Sequence, residues 1–421
     1  MPAAKSSYLL GFLSLLMLAL TSLASAAEHF KVLHVFNPNQ GDGGYPAGSL
    51  VLDSSGDIYG TTNLGGSQGG GTVYELIPSA SHWTAHVIHN FGGSEGASPY
   101  GSITFDSSGN IYGTAGIGGA AGYGSVYELK KHSKSWETIV LHGFCGYQCG
   151  DGSLPLDGPV FDNRGNLYGT TAGGLGNGIV YRLTPAKNGW TEDILHNFCQ
   201  PTCDQGAIPG GKPLFDRAGN IYGETQWTNL NGSGGTVFEL TRQKNGSWEH
   251  RVIHTFPASK NDGQEPVSAT LISDASGALY GATAWGGDPA CIDGCGIVYK
   301  LTPGHDGVWH ETIIHAFHND KRGTNPDGGL SFDKNGNLYG VTEGGGNYPS
   351  QCASYGCGVV FKLTSTKSGS WTYSILHAFS FTDGAYPAEG LVFDSQGDLF
   401  GITSEGGNLV PDAGVVFEIT P

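Results

Sequence analysis

Short runs of alternating apolar and polar residues recur along the chain, separated by Gly-rich turns. A run such as Ser102-Ile103-Thr104-Phe105 leads through Asp-x-x-Gly into Ile111-Tyr112-Gly113-Thr114. A Gly-rich stretch then precedes Gly-x-Val-[YF]-x-[LI], and a last run starts near a Trp and ends in [IL]-His-x-Phe. Alternation over so few residues predicts half-buried strands. The Asp-x-x-Gly turn fits a three-residue hairpin loop with Gly in the left-handed position. Each unit therefore predicts four strands, a to d.

Seven units follow one another, marked by turn residues Asp53, Asp106, Asp162, Asp216, Asp274, Asp333 and Asp394 at a mean spacing of about 57 residues. Four short strands per repeat of that length describe a propeller blade. Seven a-b-c sets exist, but only six are followed by a d strand. The missing copy is Phe30–Phe36 at the N-terminus, while the sequence stops at Pro421 just after a c strand. The predicted fold is all-β, a seven-bladed β-propeller of four-stranded antiparallel blades, the last closed by the N-terminal strand. It occupies residues 27–421.

Composition sharpens this picture. With 71 glycines in 421 residues, long helices are disfavoured. Residues 1–26 read as a cleavable export signal: Lys5, an apolar run from Tyr8 to Leu20, and Ala24-Ser25-Ala26 before the cut. That run is too short to span a bilayer. A secreted or periplasmic protein is expected, without membrane insertion or a visible anchor. The formal net charge of −17 disfavours nucleic acid as a partner.

The consensus Asp-x-x-Gly-Asn-[IL]-Tyr-Gly-Thr-Thr, followed by Gly-x-Val-[YF]-x-Leu-Thr-Pro, resembles the GloVer-type tandem repeat of bacterial exported proteins. It is also similar to other Asp-x-x-Gly-Asn-[IL]-Tyr propeller repeats. The resemblance covers essentially all of 27–421 and implies a propeller fold and export, but no mechanism.

Residues repeated in every unit read as scaffold. The strand-d histidines His34, His89, His142, His196, His254, His315 and His377 are expected to bond backbone or turn carboxylates at the rim. The eight cysteines form four local pairs, Cys145/Cys149, Cys199/Cys203, Cys291/Cys295 and Cys352/Cys357. In an exported chain these predict local disulfides, with cross-pairing of the first two loops as the alternative. All four pairs lie in b→c or d→a loops, as do the long insertions. One face is thus elaborated while the a→b turns stay uniform, and function tends to sit on elaborated loops.

Residues that break the sevenfold pattern on that face are the site candidates. Counting from the turn pairs Lys212 with Glu224, where other blades are uncharged; a cross-strand salt bridge would explain them equally well. Trp227 and Trp285 leave strand b in blades 4 and 5, and Glu343 and Glu405 do so in blades 6 and 7. Asp157, Asp327 and Glu389 begin strand a near the axis, and Tyr45, Tyr100 and Tyr386 lie in d→a loops. Aromatic platforms beside carboxylates suit sugar rings, and paired carboxylates can act as acid and base; a solvated acidic surface with packed Trp is the plainer reading.

No nucleophile elbow, zincin, P-loop or EF-hand pattern occurs, so no cofactor and no metal are expected. The leading expectation is a monomeric binding module for a glycan or cell-surface polymer. A glycosidase or polysaccharide lyase is the alternative, and an interaction scaffold the third. Whether catalysis occurs stays open, because propellers host many functions.

Overall fold

The computed structural model describes residues 29–80, 82–174, 176–198, 205–228, 234–257, 259, 261–266, 270–292, 294–318, 320–366, 369–408 and 412–421. These form seven four-stranded antiparallel sheets arranged as the blades of a propeller. Blade 1 comprises strands Gly44–Leu52, Ile58–Leu64, Thr72–Pro78 and Trp83–Asn90, in the order a-b-c-d. Blade 7 takes a to c from Ala385–Phe393, Leu399–Glu405 and Val415–Thr420. Its d strand is His29–Val35, paired from His29 opposite Thr420 to Val35 opposite Val415. The N-terminal strand thus closes the ring. The proposed export signal lies outside the described residues.

The repeated motifs each have a packing role. Seven hydrophobic clusters fill the seven junctions between neighbouring blades. The Phe of [IL]-His-x-Phe is the knob: Phe36 meets Tyr74 and Phe91 meets Tyr127, each with ring centroids 5.0 Å apart. The other five junctions repeat this contact. Such aromatic pairs contribute about 0.5–1.5 kcal/mol each beyond burial. The strand-b Gly makes room for the ring, since a Cβ on Gly60 would run into the Tyr74 hydroxyl. In the a→b turns the Asp caps backbone amides; Asp53 Oδ1 accepts from Ser55 N at 2.8 Å and Asp57 N at 3.1 Å.

Among the described residues, four of the rim histidines, His34, His89, His142 and His377, bond loop carboxylates, whereas His196 stacks on His250 and His315 on Tyr373. His34 meets Asp42, His142 meets Asp151 and His377 meets Asp383, each at 3.0 Å.

Three of the four expected disulfides are formed, Cys145–Cys149, Cys291–Cys295 and Cys352–Cys357, with Cα atoms 5.9, 5.7 and 5.3 Å apart. They are local, and cross-pairing of Cys145 or Cys149 is excluded. The fourth expected bond, from Cys199 to Cys203, is not among those seen, because Cys199 and Cys203 both lie outside the described residues.

A sevenfold clasp organises the elaborated face. Tyr45, Ser98, Leu154, Ile208, Glu265, Asn325 and Tyr386 all adopt left-handed φ between 53° and 57°, and each precedes a Pro. Each amide donates to a carbonyl of the preceding blade, as Tyr45 N does to Ala413 O at 2.8 Å and Tyr386 N to Cys357 O at 3.0 Å. The following Pro packs on the Gly that opens strand c of that blade. Blade is thereby latched to blade at the channel mouth.

Strand a is less regular than the alternation predicts. In blades 1, 4 and 7 its pairing with b is interrupted by a register shift; in blade 4 this falls between Gly210 and Leu214. The bulge changes every partner beyond it. Glu224 consequently faces Gly210, and the expected Lys212–Glu224 pair does not form.

Candidate functional site

Released from the ladder by the bulge, Lys212 turns into the central channel. Its Nζ donates to Ile103 O of blade 2 at 3.4 Å, crossing over Gly158 of blade 3. The channel is narrow there, because blade edges touch: a Cβ on Gly158 would run into the Ser102 carbonyl. Ser49 accepts from Gly390 N at 3.0 Å across the closing junction. Lys212 therefore reaches from blade 4 past the inner edge of blade 3 to blade 2.

Above it sit Asp157 and Glu389. Asp157 is 8% exposed and accepts from Ser102 Oγ at 3.0 Å and Ser102 N at 3.3 Å. Burial pushes its carboxyl upward, while the Lys212 charge and these bonds oppose the push. Glu389 is raised well above the usual carboxylate range by burial and by the charges of Asp157 and Asp327. Burial lowers the Lys212 ammonium, with Asp157 and Glu389 holding it up. Glu389 also adopts a left-handed φ of 65°, where Gly48 and Gly211 stand at the equivalent positions with 71° and 72°. A non-Gly residue there stores strain, on the order of 1–3 kcal/mol. Tyr100, Leu156, Asp157, Gly211 and Glu389 line a cavity of about 180 Å³ at this mouth.

An acidic track runs outward from it over blades 6 and 7. Burial and the Glu343 charge push Asp327 up to about 7. Glu343 is raised by burial and by Glu405, although a bond from Tyr355 at 3.2 Å counters this. Glu405 is raised by burial and Asp412, and Tyr386 lies in the field of Glu405 and Glu343. Lys212, Asp327, Glu343, Glu389 and Glu405 are thus electrostatically linked. Tyr355, on the Cys352–Cys357 loop, escaped the sequence analysis; its one signal was the disulfide that fixes that loop.

The other candidates are elsewhere. Glu224 is buried between blades 4 and 5, bonded by the Tyr299 hydroxyl, and burial pushes it up to about 8. Trp227 and Trp285 occupy matching edges, their carbonyls accepting from Thr225 at 3.0 Å and Thr283 at 2.9 Å. Neither indole is joined to the acids by a hydrogen bond or ring contact among the described residues. His142, Asp151 and Glu192 at the rim lie close enough to share a cation, but Asp151 already accepts from His142 and Cys145 N.

The repeats in the sequence and the latched blades point to one lineage. A model of the Gloeobacter/Verrucomicrobia repeat matches residues 19–175, 118–349 and 209–421. The chain belongs to this family. No curated protein matches it. Among solved structures, the chain resembles the extracellular domain of a one-component system of B. thetaiotaomicron, at 11% identity and a TM-score of 0.51, over 92% of this chain and 39% of that one. It is also similar to a glucose dehydrogenase-type oxidoreductase of Thermus thermophilus, at 13% identity and a TM-score of 0.43, over 93% and 100%. A luciferin-regenerating enzyme matches at 12% identity and a TM-score of 0.41, over 94% and 95%. At such identities the likeness concerns the propeller fold alone. As a member of the repeat family, the chain has disulfides that fit an oxidising compartment outside the cytosol. Among the described residues, no helix is long and apolar enough to cross a membrane.

Proposed function

We propose that this repeat protein is exported through its N-terminal leader and acts as a binding module for carbohydrate at the channel mouth. The observation that carries the reading is Glu389: an acid held in a left-handed, glycine-type conformation beside Asp157 and Lys212, at the edge of a 180 Å³ cavity. Its backbone is strained and its charge is crowded by Asp157 and Asp327, with the Lys212 ammonium opposing them, and such residues cluster at ligand sites. Tyr100 offers an aromatic face and the acids accept hydroxyl protons, which together suit one sugar ring. The test is a polysaccharide array probed with the parent and with Glu389→Gln and Asp157→Asn. Retention by the parent that both variants lose supports the reading; retention indifferent to both overturns it.

One observation favours a carbohydrate-active enzyme instead. Asp327, pushed up to about 7, can hold a proton at neutral pH while Glu343 and Glu405 lie along the same track. A proton donor beside a base is the requirement for glycosidic cleavage. Product release from the same array separates the readings, and Glu343→Gln would then abolish turnover while sparing retention.

A further inference from the structure

The opposite face breaks the sevenfold pattern in a different way. A cavity of about 560 Å³ opens between the a→b turns of blades 3 and 4 and the c→d turn of blade 4, a volume within the usual range for ligand pockets. Arg164, Arg217, Arg242 and Lys244 all line it and are exposed. Three of the six arginines of a chain with net charge −17 thus meet at one junction. The remaining three are occupied. Arg182 pairs with Asp193 at 2.7 Å, Arg251 pairs with Glu239 at 2.8 Å, and Arg322 lies 5.0 Å over the Tyr373 ring. None of the four cations in the cavity forms an ion pair among the described residues.

Its two carboxylates are outnumbered by the four cations, and neither forms an ion pair with one among the described residues. Asp162 and Asp216 are turn caps, whose oxygens accept from Arg164 N and Asn166, and from Ala218 N and Asn220, at 2.7–2.9 Å. The corresponding turns carry Ser54-Ser55 in blade 1, Ser107-Ser108 in blade 2, Ala275-Ser276 in blade 5 and Ser395-Gln396 in blade 7, while the blade 6 turn carries the single cation Lys334. Trp248 and Phe215 supply apolar walls, and Asn163 and Gln243 supply amides.

The geometry points to a second binding site here, for an anionic saccharide whose carboxylates are uronates. Guanidinium forks match carboxylates in two-point fashion. The aromatic walls suit the apolar face of a pyranose, and the amides suit its hydroxyls. An acidic peptide would use the cations but has no pyranose face to set against Trp248 and Phe215. This site is independent of the channel mouth, and its ligand need not reach Glu389.

The test is calorimetric titration of the whole protein with trigalacturonate, with neutral galactotriose and poly-glutamate as controls. Saturable trigalacturonate binding that weakens with salt is expected. Arg217→Gln/Arg242→Gln should weaken it at least about tenfold, as loss of charge-assisted contacts implies, with an unchanged melting curve because both residues are exposed. Glu389→Gln should leave it unaltered, which keeps this test separate from the channel-mouth reading. Absence of saturable binding, equal binding to the double variant or equal binding of galactotriose would overturn the proposal. Poly-glutamate binding as tight as trigalacturonate would also overturn it, in favour of a peptide site.

Discussion

Two sets of carboxylates, on opposite faces of one ring, behave in opposite ways. The turn acids Asp162 and Asp333 are buried enough to be pushed up, yet bonds from Asn166 and Asn337 and from backbone amides bring both below the ordinary value. The channel acids Asp157, Asp327 and Glu389 are buried far more deeply, and burial raises each, even though Asp157 accepts from Ser102 and Gly158; neighbouring acids add to the rise at Asp327 and Glu389. The turn acids stabilise the fold as ions. The channel acids oppose it. Depth of burial, set against the donors aimed at each group, thus separates carboxylates that stabilise the ring from carboxylates that oppose it.

The largest effect should come from removing the frame both sets share. Deleting residues 29–35 strips the outer strand from blade 7 and exposes its edge, so melting should fall by more than about 10 °C, or folding should fail. A deletion that melts like the parent would break the closure account. Next, Asp162→Ala leaves turn amides without their acceptor and should cost about 1–3 kcal/mol in denaturant unfolding at pH 7. Asp327→Asn should do the reverse. Its folded value near 7 lies above the ordinary 3.8, so the native state holds a proton that the unfolded chain has lost. Stability linked to Asp327 is then present at low pH and lost as pH rises from about 4 to 7, a difference on the order of 1–3 kcal/mol. The Asn variant should flatten that part of the pH profile and exceed the parent at pH 8. For Asp162 the sign is opposite: its contribution is present at neutral pH and lost as pH falls below the ordinary carboxylate value. The smallest effect is Glu224→Gln, which keeps a partner for Tyr299 and removes a charge disfavoured by burial; stability at pH 8 and above should hold or rise slightly.

The ring was legible because each of its determinants is local and repeated. The Asp-x-x-Gly turns, the [IL]-His-x-Phe knob and the orphan d strand state blade, junction and closure in the sequence itself. Three disulfides were legible for the same reason, through the short spacing of Cys145/Cys149, Cys291/Cys295 and Cys352/Cys357. The clasp went unread although Pro recurs seven times, since a residue before Pro is normally extended and only the preceding blade's carbonyl explains Tyr45 or Asn325. The site was half legible. Symmetry breaking singled out Lys212, Asp327 and Glu389, whose charges the structure brings within reach of one another, but a bulge that alternation cannot reveal separated Lys212 from Glu224. Arg164, Arg217 and Arg242 are scattered over three strand ends, and only the packing of blade 3 on blade 4 unites them.

The central claim is that the channel mouth gives up stability for binding, and Glu389→Gly tests it most directly. Glycine is what blades 1 and 4 carry at this position. The substitution relieves a left-handed backbone and a crowded charge, so unfolding free energy at pH 7 should rise by about 1 kcal/mol while retention on the polysaccharide array is lost. A variant that is less stable than the parent and still retained would contradict the account.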